Sequence, residues 1–167
     1  MSWVVADGDV RVLVDYAHTP SALTALLTAA RAAAGTGRVV LVVGTGGGRE
    51  ASKRAATGRV AAAGADVVVL TDDNPRHEDP AAIRAELRAG AEQVPRGVRA
   101  ELHEHADRTL AVRTAARLTR RGDVVVVGVA GKGPDRVQLI GGSVLTVDDA
   151  ATLQEELACR GLAPSRA

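Results

Sequence analysis

Phenylalanine is missing altogether, and tryptophan and tyrosine occur once each. A core without aromatic bulk must be packed from many small aliphatic contacts, and the 46% hydrophobic share is indeed carried by Ala, Val and Leu. Cys159 is the single cysteine, which excludes an intramolecular disulfide and fits a reducing, cytoplasmic setting. No apolar run approaches the ~20 residues that span a bilayer. The stretch from Met1 to Asp9 also lacks the basic-then-apolar order of a secretory leader. A soluble protein without a membrane partner is expected. Excess charge is missing too: a formal net charge of +1 gives no electrostatic reason to bind nucleic acid. Lysine is scarce, with Lys53 and Lys132 as the only two among 21 basic residues. Both lie in or beside glycine-rich loops, where a compact point charge has a use that arginine does not serve.

What is present is a regular alternation. The chain of 167 residues has the size of one domain. Residues 11–14, 38–43, 66–70 and 124–127 are short apolar runs of the kind that form buried parallel strands, and 98–103 is a weaker one. Between them the spacing predicts helices over 20–34, 52–64, 80–93 and 106–120. Thr19 is placed to cap the first, with Pro20 at its first position. Leu23, Leu26, Leu27 and Ala30 share one face of it. Residues 136–140 and 143–147, around Gly141-Gly142, read as a hairpin before a last helix from Asp148, with Asp148-Asp149 as its cap. The fold class is therefore α/β, a Rossmann-like, mainly parallel sheet of about six strands. Helices cover both faces, and the C-terminal hairpin forms an antiparallel edge.

Three polar or glycine-rich loops leave the carboxyl ends of those strands, where open α/β sheets bind ligands. Gly44 to Gly48 offers backbone amides at a helix start, an anion site, or else a turn that only permits tight packing. Neither the dinucleotide fingerprint nor the ATP-binding glycine loop with its Lys-Ser/Thr is spelled out. Thr71-Asp72-Asp73-Asn74-Pro75-Arg76 presents two carboxylates, an amide and a guanidinium, or simply a solvated Asp/Asn turn. His103-Glu104-His105 lacks a third ligand at metal spacing and reads as a solvated strand end. No nucleophile elbow or Cys-His pairing is present, so no catalytic residue is assigned.

Four motifs in order, Val14-Asp15-Tyr16-Ala17-His18-Thr19-Pro20, the Gly44-to-Arg54 loop, Thr71 to Arg76, and Gly131-Lys132-Gly133 with Gln138 beyond it, resemble the C-terminal domain of Mur ligases. The likeness is strongest to the MurE type, which adds the third amino acid of the peptidoglycan stem peptide. It covers about Arg11 to Leu157. The resemblance implies ATP-dependent amide synthesis in the cytoplasm, with this domain binding the incoming amino acid and part of the ATP nucleoside. Arg49, Asn74, Arg76, Gly131 and Asp135 would hold the amino acid, and Asp15, Tyr16, His18 and Lys53 would border the nucleotide. The Asp-Asn-Pro-Arg tetrad goes with meso-diaminopimelate, whose distal carboxylate suits an arginine pair by charge-assisted bonds of about 1.5–3 kcal/mol each.

Two departures from the pattern stand out. Gly48 replaces an acidic residue, and Pro134-Asp135 replaces His-Glu, where Asp is one methylene shorter. The resemblance also implies that the central ATPase and N-terminal UDP-sugar domains are missing from residues 1–167. The main ATP-phosphate and magnesium sites would then lie outside this chain, with no metal site in it, and the chain alone would be inactive. The alternatives are a stand-alone partner domain completing a separate ATP-binding subunit, and a generic Rossmann-like nucleotide binder.

Overall fold

The computed structural model describes residues 2–5, 9–48, 51–128, 135–138 and 144–162. In chain order the strands are β1 (Ser2–Val5), β2 (Arg11–Val14), β3 (Val39–Val43), β4 (Val67–Thr71), β5 (Glu101–His105), β6 (Val124–Val127), β7 (Asp135–Gln138) and β8 (Val144–Val147). The helices are α1 (Pro20–Ala34), α2 (Ser52–Gly64), α3 (Pro80–Glu92), α4 (Arg108–Leu118) and α5 (Asp149–Cys159). One sheet takes the order β1-β2-β6-β3-β4-β5, parallel throughout except for β1.

The apolar runs are unbroken because both faces of the sheet are covered. Leu13, Leu41, Val43, Val68, Leu70 and Val126 point to one side, against Leu23 and Leu27 of α1, Ala61 of α2 and Leu87 of α3. Their neighbours Val12, Val14, Val40, Val42, Val69 and Val125 point to the other, against Val112 and Ala115 of α4 and Leu153 and Leu157 of α5. The period-2 side-chain alternation of strands sorts each run in this way. Each fully buried Leu or Val contributes about 1.5–3 kcal/mol.

Local chemistry fixes the helix ends. Thr19 Oγ1 accepts from the Ala22 amide at 3.2 Å and Pro20 opens α1, as expected. The helix ends at Gly35 with a positive φ of 56°. Asp79 caps α3 through the Ala81 amide, again with a proline at its start. Asp107 caps α4 through the Leu110 amide. Helices α2 and α3 meet on two glycines: a Cβ on Gly58 would lie 1.9 Å from the Leu87 carbonyl oxygen, and one on Gly90 would lie 1.9 Å from that of Ala55.

Three sequence expectations change. The antiparallel edge of the main sheet is β1, a strand not expected from the sequence, rather than the C-terminal hairpin. β7 and β8 pair with each other as a separate two-stranded sheet. The physical reason is that β1 covers one edge, while β5 at the other carries Glu101, His103, Glu104 and His105, charged and polar groups that discourage further pairing. The fifth strand begins at Glu101, not Val98, which is exposed in the turn after Pro95. Asp148 alone caps α5, accepting from the Ala151 amide at 3.0 Å, whereas Asp149 is buried inside.

Candidate functional site

The order β2-β6-β3 creates the reversal point of the sheet. From β3 the chain moves outward through β4 to β5, then returns to place β6 between β2 and β3. Loops leaving β2 and β3 must therefore part around the end of β6, and a crevice opens there. It is a cavity of about 330 Å³ lined by Tyr16, His18 and Thr19 after β2, by Gly44, Thr45 and Gly46 after β3, and by Gly128 after β6. Lys53, Arg54 and Thr57 of α2 and Asp73 after β4 close it. The Tyr16 and His18 rings sit 5.2 Å apart between centroids, tilted by 32°, and both residues are exposed. Thr45 Oγ1 is buried and makes no hydrogen bond among the described residues.

The glycine-rich loop is laid against the loop after β4. The Gly47 amide donates to the Asn74 carbonyl at 2.8 Å, and Arg76 Nη1 donates to the Gly47 carbonyl at 2.8 Å. The Gly48 amide donates to Glu78 Oε1 at 2.6 Å, and Arg54 Nη2 reaches both Glu78 oxygens at 2.8 Å. A Cβ on Gly47 would stand 2.0 Å from the Pro75 carbonyl oxygen, so glycine is required there for backbone to meet backbone. This corrects the anion-site reading of Gly44 to Gly48 at its last two amides. The Gly47 and Gly48 amides are engaged by the protein's own carbonyl and carboxylate, and the internal anion is Glu78.

Residues 71–76 are held from three sides. Arg84 of α3 pairs with Asp72 and, through Nε, with Glu104 of β5 at 3.0 Å. Arg88 reaches the other Glu104 oxygen at 2.8 Å. Burial pushes the Asp72 carboxyl up, and the Arg84 hydrogen bond only partly offsets it. For Glu104 burial acts upward too, but the bonds from Arg88 and Arg84 outweigh it and hold the carboxyl below its ordinary range. On the other side Arg108 of α4 faces Asp73 Oδ1 at 3.7 Å and binds Asp149 of α5 through Nε at 2.9 Å. All three of these side chains are at most 5% exposed. Arg76 itself has φ of 54°, the one left-handed non-glycine residue among those described. A residue held in that region is strained and persists only where its surroundings impose it.

Of the residues singled out in the sequence, Tyr16, His18 and Lys53 are brought together on the cavity wall. Asp15 precedes them at the end of β2, its amide donating to the Val127 carbonyl at 3.0 Å, and it is not among the lining residues. Asn74 and Arg76 are not among the lining residues, and both are bonded to Gly47. Arg49 and Gly131 lie outside the described residues, and Asp135 is described only as backbone, paired with Val147. Arg54 does more than add positive charge: it is buried and holds Glu78 and Glu86. Its signal was its place on the same helical face as Thr57, Gly58, Ala61 and Ala62. Among the described residues no group of three or more His, Cys, Asp or Glu could hold a metal ion, and no helix is long and apolar enough to cross a membrane.

Glu78 gives the loop junction a pH dependence. The Gly48 amide and then Arg54 hold its carboxyl below the ordinary glutamate value. A carboxylate depressed in the folded state stabilises that state fully above its unfolded pKa of about 4.3 and loses the contribution as pH falls through the lower folded value. In an acid titration followed by NMR, the Gly48 amide resonance should move with a midpoint below that of an unperturbed glutamate. A midpoint at the ordinary value would remove Glu78 from the junction.

A family profile described as "Mur ligase, glutamate ligase domain" matches residues 1–133. A UDP-N-acetylmuramoyl-L-alanyl-D-glutamate--2,6-diaminopimelate ligase of Syntrophomonas wolfei is 44% identical over 149 residues, covering 89% of this chain and 29% of that protein. The protein of the same name from Rickettsia felis is 39% identical over 157 residues, 93% of this chain and 28% of that one. A solved structure of a ligase with this name superposes with a TM-score of 0.79 at 30% identity, covering 96% of this chain and 31% of the other. The UDP-N-acetylmuramate-alanine ligase of Thermotoga maritima shares the fold, at a TM-score of 0.57 and 15% identity over 94% of this chain and 29% of that one. The chain spans about three tenths of the length of the curated relatives it matches.

Proposed function

The chain belongs to the Mur ligase, glutamate ligase domain family, and we propose that it is the amino-acid-binding domain of an ATP-dependent acid–amino-acid ligase of peptidoglycan precursor synthesis, with meso-diaminopimelate as the incoming amino acid. The observation that carries this reading is Arg76, held in a left-handed conformation beside Asn74 and anchored on Gly47. A guanidinium has five N–H donors, so anchoring one on a carbonyl leaves a fork for a distal carboxylate. Lysine lacks that carboxylate and would bring an ammonium towards Arg76, which is repulsive.

In this reading Asn74, Arg76 and Arg49 hold the distal end of the substrate, Asp135 accepts from its distal ammonium, and Gly131 borders the bound amino acid. The cavity with Tyr16, His18 and Lys53 receives part of the ATP nucleoside, with Asp15 beside it. ATP, with magnesium, supplies the phosphoryl group that activates the acceptor carboxylate; the amine of the bound amino acid then attacks and phosphate leaves. Those phosphate and magnesium sites belong to a central domain beyond this single C-terminal unit, so residues 1–167 bind but do not ligate by themselves. The domain's share of the work is positioning and selection. Calorimetric titration of the chain with meso-diaminopimelate and with lysine tests it: diaminopimelate is expected to bind weakly and lysine not measurably. Equal heats for the two would overturn the substrate assignment.

A further inference from the structure

The buried Arg108 cluster places three charged groups in an interior whose apolar residues are nearly all Val, Leu and Ala. It sets one guanidinium between two carboxylates from different elements, Asp73 after β4 and Asp149 at the start of α5. As a stabilising device it is poor, because desolvating three charges offsets most of their attraction. Its geometry continues into the ligand loop. Asp73 Oδ1 faces Arg108 Nη1 at 3.7 Å, a charge pair without a hydrogen bond, and accepts from Asn74 Nδ2 at 3.3 Å.

An ionised carboxylate only accepts, so it selects the nitrogen of the neighbouring amide and turns the amide oxygen away from itself. We propose that Arg108 and Asp149 are positioning residues for Asn74. Asp149 orients Arg108, Arg108 holds Asp73 as an acceptor, and Asp73 fixes which way the Asn74 amide faces. Helix α5, whose place in the sequence is more than 70 residues from the loop, thereby controls the donor and acceptor pattern that Asn74 shows to a ligand. The inference rests on the proposed amino-acid-binding role, yet its first readout needs no ligand.

Asn74 is the only asparagine in the chain. Protein labelled with [15N]asparagine therefore gives one side-chain amide pair, which reports this residue alone. In the wild type the two protons are expected to be well separated and protected. In Arg108→Met and Asp149→Asn the pair is expected to collapse towards free-amide positions, and Arg108→Lys should retain part of the separation. Affinity for meso-diaminopimelate should fall about tenfold in the first two, the equivalent of about 1.4 kcal/mol. Asp73→Asn, which keeps the volume but can itself donate, gives a second route if Arg108→Met does not fold. An unchanged Asn74 pair in folded variants that merely melt earlier would overturn the inference and leave a structural cluster. A wild type that fails to bind diaminopimelate while the Asn74 pair still responds to Asp149→Asn would refute the substrate reading and support the relay.

Discussion

Gly90→Ala is expected to destabilise the protein by about 3 kcal/mol, at the upper end of overpacking costs. Helix propensity alone predicts the opposite, since alanine is favoured over glycine in a helix interior by about 0.8–1 kcal/mol. Steric contact decides the sign. The added Cβ would sit 1.9 Å from the Ala55 carbonyl oxygen and 2.6 Å from its Cα, all backbone atoms with no flexible end to give way. Gly58 faces Leu87 in the same way from the other helix. Relief requires α2 and α3 to separate, which opens the small cluster of Ala62, Ala91 and Val94 and strains the Arg59–Gln93 hydrogen bond. Because α3 also carries Arg84, the clamp on Asp72, the shift reaches the loop from Thr71 to Arg76. The melting temperature should drop by about 6–12 °C. Gly97→Ala, where nothing lies within 4 Å of the new Cβ, serves as the control and should change stability by less than about 0.5 kcal/mol. A neutral Gly90→Ala would mean that the helices do not meet as described.

Arg76→Ala is the second large effect, and it falls on binding. Loss of a bidentate contact to a carboxylate removes two charge-assisted bonds of about 1.5–3 kcal/mol each, so affinity for meso-diaminopimelate should fall at least about a hundredfold. The backbone supplies an internal check. At φ of 54° alanine pays the left-handed penalty and glycine does not, a difference of about 1–2 kcal/mol. Arg76→Gly should therefore be more stable than Arg76→Ala in urea denaturation, while both lose the ligand. Equal stabilities would show that the strained conformation is not maintained in solution.

The sheet and its helices could be read from the chain because local signals agreed with one another. Thr19-Pro20 and Asp79-Pro80 marked helix starts, and the valine runs had no plausible place except between two helical layers. β1 escaped because four residues beside loop sequence give too little periodicity to read. The hairpin forms its own sheet rather than the expected edge because alternation tells how a strand pairs with its neighbour, not which sheet it joins.

At the site, Tyr16, His18 and Lys53 converge because the loops leave the same sheet edge, a consequence of parallel topology that sequence order already contains. The division of labour between Asp72, Asp73 and Arg76 was hidden. Two of the three charged groups in that loop serve the framework, and their partners Arg84 and Arg108 are 12 and 35 residues further along the chain (84 − 72 and 108 − 73). Arg108 did carry a signal, since it shares the buried face of α4 with Ala111, Val112 and Ala115, where an unpaired charge cannot stay. Glu78 gave none: its engagement of the Gly48 amide depends on the left-handed turns at Gly48 and Arg76.

In the proposed function, the loop from Thr71 to Arg76, pressed onto the glycine-rich loop, recognises the distal end of an amino acid. Titration of the 15N-labelled chain with meso-diaminopimelate, followed residue by residue, tests it most directly. Saturable shifts are expected at the Gly47 and Gly48 amides, the Asn74 side chain and the Arg76 Nε, with the α1–α2 outer face unmoved. Shifts confined to Tyr16 and His18, or spread without saturation over the exposed arginines, would contradict it.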